Sequence, residues 1–191
     1  YRNSLKTHYQ KNIMRTFVAI EVSDKDVLNS IHKIQTELNI KAKPVELSNM
    51  HFTVQFLGEV SEEMIGKISG ALNSIEFSAF SITFASVGVF PKPNSPRVIW
   101  IGVTDGINKL EKLAEMIRSK LSDIGFSPDK KFKPHVTIFR VKNKIEDLPS
   151  KLEKFSSCSF GKQLVSEIKL KKSKLTPNGP VYTDLLVVKG K

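Results

Sequence analysis

The chain has 191 residues, 40% of them hydrophobic and 26% charged, with a single cysteine, Cys158. That is enough apolar material for one packed domain, or two small lobes sharing a core, and it excludes wholesale disorder and an internal disulfide scaffold. The formal charge of +11, from 30 Lys and Arg against 19 Asp and Glu, favours a polyanionic partner, nucleic acid foremost.

Residues 1–13 carry Arg2, Lys6 and Lys11 and no acid, and they read as an N-terminal extension or an added remnant ahead of Met14. His8 falls there and is expected to play no part. Met14 to Val22 forms a strand-like run whose apolar stretch stops at Glu21. No charge-free apolar run approaches the roughly 18 residues of a membrane span, so an intracellular, cytoplasmic protein is expected. Residues 24–38 set Val27, Ile31, Ile34 and Leu38 on one helical face, with Ser23 or Asp24 as cap and His32 beside the stripe. Residues 50–57 alternate as a strand. Residues 61–75 form a helix with Ser61 as cap, Glu62 and Glu63 in its first turn, and Ile65, Ile68 and Leu72 inward.

Residues 78–90 alternate again, with Phe80, Ile82 and Phe84 on one face. The turn residues Pro91, Pro93 and Pro96 lead into a strand from Arg97 to Val103, which completes a hairpin. A helix over 107–124 carries Leu110, Leu113, Ile117, Leu121 and Ile124 as its stripe, with Gly125 as its stop. A strand over 135–141, a short helix near 147–155 and two strands over 163–175 and 181–188 close the chain. Thr176 to Pro180 turn between the last two. Hairpin connections of this kind imply an α+β fold with largely antiparallel sheets, as a single domain over 14–191.

The pattern His-x-Thr-x occurs twice, as His51-Phe52-Thr53-Val54 and His135-Val136-Thr137-Ile138. On a strand, alternate side chains face opposite sides, so each copy presents a His and a Thr together while its two apolar residues face the core. Two such copies with four apolar neighbours have a chance probability below about one in a thousand. Imidazole suits a general acid or base near neutral pH, and threonine hydroxyls can donate to an anion held between the two motifs. That combination suits in-line phosphoryl transfer.

Other catalytic machines are missing. Ser61 and Ser156 stand where the glycine of a phosphate-binding loop would precede Gly66-Lys67 and Gly161-Lys162. No Cys/His cluster has zinc spacing, so no metal or cofactor is expected. The nearest carboxylates, Glu46 and Glu59, read as solvated loop charges. Arg140 suits bidentate phosphate binding, but strand parity sets it opposite His135 unless the strand ends or bulges first. Phe139 shares the parity of His135 and would stack on a nucleobase or simply pack. Trp100 reads as a sheet-core residue.

These segments resemble the two-histidine phosphoesterase superfamily, specifically the RNA 2',3'-cyclic phosphodiesterases, also called 2'-5' RNA ligases. Met14 to Ile20 is similar to the family's first strand, and His51 to Gly58 to its first motif with a Phe-Leu-Gly tail. Gly88 to Pro91 with Pro96 to Trp100 is similar to its central hairpin, and Phe132 to Arg140 to its second motif. The resemblance covers nearly all of 14–191 and implies two similar lobes, each an antiparallel sheet flanked by helices, facing across a central cleft. It implies that His51 donates a proton to the leaving O3', that His135 accepts one from water, and that Thr53, Thr137 and Arg140 bind the phosphate. The implied partner is RNA with a 2',3'-cyclic phosphate end, tRNA fragments among the candidates, and the implied product is a 2'-phosphate. A monomer is expected. Position 55, often basic in the family, is Gln55 here, which removes a charge contact. Two alternatives stay open at this point, the 2'-5' ligase direction and a non-catalytic RNA- or nucleotide-binding module.

Overall fold

Local signals set the element boundaries. In the computed structural model, which describes residues 13–128 and 130–191, strand β1 spans Ile13–Glu21 and helix α1 Lys25–Leu38. Asp24, rather than Ser23, caps α1: its carboxylate accepts from the backbone N–H groups of Asp26 and Val27, each at 3.0 Å. A two-residue strand β2 (Lys43–Pro44) and a 3-10 turn (Leu47–Asn49) precede β3 (His51–Ser61), and both are too short to show a periodicity in the sequence. Ser61 caps α2 (Glu62–Asn73) by accepting from Met64 N–H. The hairpin β4 (Phe80–Lys92) and β5 (Ser95–Val103) leads to α3 (Ile107–Ser122), β6 (Val136–Arg140) and α4 (Leu148–Glu153). Three strands close the chain: β7 (Ser159–Val165), β8 (Glu167–Thr176) and β9 (Gly179–Lys189). His8 lies outside the described residues.

The expected single strand over 163–175 is in fact the end of β7 and most of β8. Val165 and Ile168 are both buried. A spacing of three between buried residues breaks the two-residue period, and the chain changes sheet position there. The two pieces pair far apart, β7 with β4 and β8 with β1.

All pairings are antiparallel, in the order β7-β4-β5-β6-β3-β1-β8-β9, with β2 added on β6. The order divides into a first lobe, β3-β1-β8-β9, and a second lobe, β7-β4-β5-β6 with β2. They meet at the inner strands β3 and β6 through one register pair, Phe52 opposite Val136. Helix α1 packs on β6 and β7, while α2 and α3 pack together and on β3. Between sheet and helices lies a continuous apolar core, in which Phe52 and Phe84 stack at 5.6 Å. Burial of such side chains, at about 1.5–3 kcal/mol each, is the main force holding the two lobes on a common core. Gln163 of β7 adds a polar tie. It accepts from the N–H groups of Ser23 and Asp24 and donates to the Glu21 carbonyl at 2.7 Å, fixing the end of β1 to the second lobe. Among the described residues no helix is long and apolar enough to cross a membrane.

Candidate active site

The single pairing Phe52–Val136 determines how the two motifs meet. Extending that antiparallel register by one residue on either side sets His51 toward Thr137 and Thr53 toward His135. Phe52, Val54, Val136 and Ile138 are buried, which leaves the histidines and threonines on the opposite, cleft face. All four line one cavity of about 1110 Å³.

The two histidines are held in the same way. His51 Nδ1 lies 2.7 Å from the Asn49 carbonyl oxygen, and His135 Nδ1 lies 2.7 Å from that of Lys133. A carbonyl oxygen only accepts, so each Nδ1 carries the hydrogen and donates it. Nε2 of each ring is therefore the nitrogen left for chemistry. In His51 it stands 3.0 Å from the Thr53 hydroxyl.

Beyond the threonines, both strands bulge. On β6 the partners of Thr137 and Phe139 are the adjacent residues Trp100 and Ile99, so Ile138 is the extra residue. On β3 the partners of Thr53 and Gln55 are Ala19 and Val18, so Val54 is the extra one. A bulge reverses the parity of everything after it. Arg140 consequently reaches the cavity wall. Phe139 does not: it is 2% exposed and belongs to the core, so the sequence-based option of base stacking there is corrected. The doubled apolar pair Ile138-Phe139 in an alternating strand was the available signal. Val45 N–H and the Gln35 side chain both donate to the Ile138 carbonyl at 2.9 Å and hold the bulge.

The first-lobe bulge turns Gln55 away from the cleft, where its amide donates to the Phe126 carbonyl. It brings Phe56 onto the cleft face, 70% exposed and lining the cavity. Phe56 thus occupies in the first lobe the place that Arg140 occupies in the second. Sequence reasoning missed it because strict alternation buries position 56.

The surroundings of the two rings differ. His51 packs against Phe17 at 5.0 Å and edge-on to Tyr182 at 5.4 Å. Burial pushes its pKa down to about 4; the Asn49 carbonyl works the other way, and the positive charges of Lys171 and Arg140 add to the lowering. His135 meets Phe90 edge-on at 5.1 Å and Trp100 at 6.3 Å, at a more open part of the cleft. Trp100 is therefore not the plain core residue expected. It is half-buried on the His135 side, in a space that exists because position 88 is glycine: a Cβ on Gly88 would stand 2.2 Å from its ring.

A set of charged residues without a sequence signal borders His51. Glu21 is its register partner on β1. Lys169 Nζ donates to Glu21 at 2.5 Å and lies 3.0 Å from Asp184, while Lys171, 5% exposed, bridges Glu21 and Asp184. Burial alone would raise the Glu21 and Asp184 carboxyls, but the hydrogen bonds from the two lysines outweigh it and hold both below the ordinary range. Glu21, Lys171 and Asp184 line the cavity, as does Glu46, while Glu59 is exposed away from it. The signal in hindsight is Glu21, an acid that ends an apolar strand directly beside a motif histidine. Among the described residues no group of three or more His, Cys, Asp or Glu side chains converges as a metal site.

The LigT like Phosphoesterase family model matches this sequence twice, over residues 20–100 and 101–182, so each match carries one His-x-Thr-x motif. The RNA 2',3'-cyclic phosphodiesterase of Archaeoglobus fulgidus is 44% identical over 176 residues, which cover 91% of this chain and 99% of that protein. The protein of the same name from Methanocaldococcus jannaschii is 41% identical over 88% of this chain and 96% of its own length. Among solved structures, Escherichia coli LigT in apo form matches with a TM-score of 0.76 at 25% identity, covering 94% of this chain and 98% of that one. The same protein complexed with 3'-AMP matches with a TM-score of 0.75 at 27% identity and the same coverage.

Proposed function

The chain belongs to the LigT-like phosphoesterase family, and on that premise we propose that it hydrolyses the 2',3'-cyclic phosphate at the end of an RNA to a 2'-phosphomonoester. The observation that carries this reading is one cavity lined by His51, Thr53, His135, Thr137 and Arg140, with both imidazoles anchored through Nδ1 and His51 Nε2 within 3.0 Å of the Thr53 hydroxyl. Relatives named RNA 2',3'-cyclic phosphodiesterase support the substrate, and the LigT complex with 3'-AMP supports nucleotide binding.

In this reading the phosphate sits between the two motifs. The Thr53 and Thr137 hydroxyls and the Arg140 guanidinium bind its non-bridging oxygens, and the charge that develops there in the transition state strengthens those contacts. Water attacks phosphorus in line with O3'. His135 Nε2 takes the proton of the water, and His51 Nε2 gives one to O3' as the P–O3' bond breaks. The product is a 2'-phosphate with a free 3'-hydroxyl, and each turnover returns the pair to its starting state after one proton exchange. The five-membered cyclic diester is strained, so the acid–base pair suffices and no metal takes part.

The low pKa of His51 bears on the roles. With the cleft empty, His51 is neutral at pH 7 and has no proton to give from Nε2. A phosphate anion set against that nitrogen favours the imidazolium, so His51 takes up its proton together with the substrate. The same depressed pKa favours a second reading in which neutral His51 accepts from water and His135 donates.

The test uses an oligoribonucleotide ending in a 2',3'-cyclic phosphate, incubated with the protein in EDTA, with the product isomer identified. A 2'-phosphomonoester supports the proposal. A 3'-phosphate, or turnover that is lost in EDTA and restored by a divalent ion, overturns it.

A further inference from the structure

The two motif strands and the segments that flank them are opposite in charge. The offset of 84 residues that relates His51 to His135 also relates residues 46–60 to 130–144. The first window contains Glu46 and Glu59 and no Lys or Arg, whereas the second contains six Lys or Arg and no acid. The neighbours of β6 add to the excess. Arg97 lies at the start of β5, and its guanidinium donates to the Lys142 carbonyl at 3.3 Å. Lys43 of β2 stands directly opposite Arg140 in the register. Its ammonium donates to the Asn178 carbonyl at 2.9 Å, so two cations stand at the rim with no carboxylate between them.

The positive charges are unspent. In the first lobe, Lys169 and Lys171 are saturated by Glu21, Asp184 and Glu167. In the second, Arg97, Arg140, Lys142 and Lys144 are exposed, and among the described residues none of them forms an ion pair with a carboxylate. The strip begins inside the cavity, at Arg140, the last residue of β6, and continues in the segment that follows the strand, where Lys142 is tied to Arg97.

We propose that this strip, Arg140 and Lys43 at the cleft rim followed by Arg97, Lys142 and Lys144 outside it, is the track on which the single-stranded RNA body lies upstream of its cyclic end. The inference rests on the proposed function for the direction of the track, because it is Arg140 that touches the reacting phosphate. Residues beyond the rim then meet the backbone phosphates of the preceding nucleotides, about two or three of them by the number of free cations. The first lobe, whose cleft-side lysine Lys171 is tied up by Glu21 and Asp184, takes the terminal nucleoside only. The enzyme therefore reads an RNA end through backbone charge on one side of the cleft, without base readout along the track.

The experiment compares two substrates and two charge-reversed proteins. One protein carries R97E, K142E and K144E. The other carries K109E, K112E and K120E on α3, the same change in net charge placed away from the strip. The substrates are a 2',3'-cyclic mononucleotide and an oligonucleotide of about eight residues with the same end. The strip variant should lose about 10- to 100-fold in kcat/KM on the oligonucleotide and stay within about twofold of wild type on the mononucleotide. Its salt dependence on the oligonucleotide should flatten, by a slope of about two for three lost contacts. The α3 variant should change little on either substrate.

Equal losses on both substrates, equal losses in both variants, or no loss on the oligonucleotide would overturn the track. Fluorescence anisotropy with an oligonucleotide ending in a 2'-phosphate reads the track without turnover. Inactivity of the wild type would therefore refute the proposed function alone, while weaker binding in the strip variant than in the α3 variant would still support the track, and equal binding would refute it. Urea unfolding of each variant separates misfolding from lost contacts, and Ala in place of Glu at the three strip positions gives a milder variant with a smaller loss of the same pattern.

Discussion

His51 and His135 are the same device set in two environments. Each follows a carbonyl that fixes its Nδ1, each precedes a threonine by two residues, and each strand bulges one residue after that threonine. The difference lies in what surrounds the ring. Phe17 and Tyr182 cover His51, Lys171 lies beside it, and burial brings its pKa to about 4. His135 opens toward a wall that carries Arg140 and, beyond it, unpaired cations. Backbone symmetry thus supplies two equivalent nitrogens, and side-chain asymmetry lowers the proton affinity of one of them, His51. In the proposed mechanism the roles of donor and acceptor follow from which ring stands by the leaving oxygen and which by the water.

The largest effect should come from removing either ring. His51→Ala and His135→Ala should each lower turnover by about two to four orders of magnitude, with substrate affinity suffering less because the threonines and Arg140 remain. A substrate with a better leaving group at O3' separates the two rings, because a good leaving group needs no proton. If His51 is the donor, that substrate rescues His51→Ala and leaves His135→Ala slow. Rescue of His135→Ala alone would establish the reversed reading that the low His51 pKa favours, and equal rescue would show that the asymmetry of the site does not divide the roles.

The next contrast is between the equivalent positions 140 and 56. Arg140→Ala should raise KM and lower kcat/KM by about 10- to 100-fold, the usual worth of a charge-assisted contact to a phosphate. Phe56→Ala touches no phosphate in the proposed pose and should change kcat/KM by less than about tenfold, through apolar contact with the terminal nucleoside. Steady-state kinetics on the cyclic mononucleotide checks both. A larger loss at Phe56 than at Arg140 would mean that the phosphate is held from the first lobe.

Those two positions also mark where the sequence could be read and where it could not. The helices, the β4–β5 and β8–β9 hairpins and the polar faces of both motifs follow from periodicity and turn chemistry, because each depends only on residues close in sequence. The bulges could not be derived so directly. They depend on the register with β1 and β5, and a one-residue shift reverses every later side chain, which is why Phe139 and Phe56 exchange their expected faces. The network of Glu21, Lys169, Lys171 and Asp184 was invisible for a related reason. Lys171 and Asp184 are register partners in the β8–β9 hairpin, but Glu21 lies about 150 residues from Lys171 and meets it only because β8 pairs with β1, a long-range pairing that no local pattern encodes.

The smallest expected effect concerns the aromatic cover of His51 alone. The rate constant kcat/KM reports the free enzyme. In the reading in which neutral His51 accepts from water, acid that protonates its ring removes the acceptor, so activity falls as the pH drops through the His51 pKa, about 4. Burial is the main cause of that value, and Tyr182 supplies part of the burial by standing edge-on over the ring. Tyr182→Ala admits water, stabilises the imidazolium and raises the pKa. The acid limb should then move to higher pH by up to about one unit, so that the variant loses more activity than wild type at pH 5 and differs little from it at pH 7. Phe90→Ala, the corresponding change beside His135, should leave that limb in place, because it uncovers the other ring. A limb that stays near pH 4 in Tyr182→Ala, or moves instead in Phe90→Ala, would show that the Tyr182 cover is not what lowers the His51 pKa.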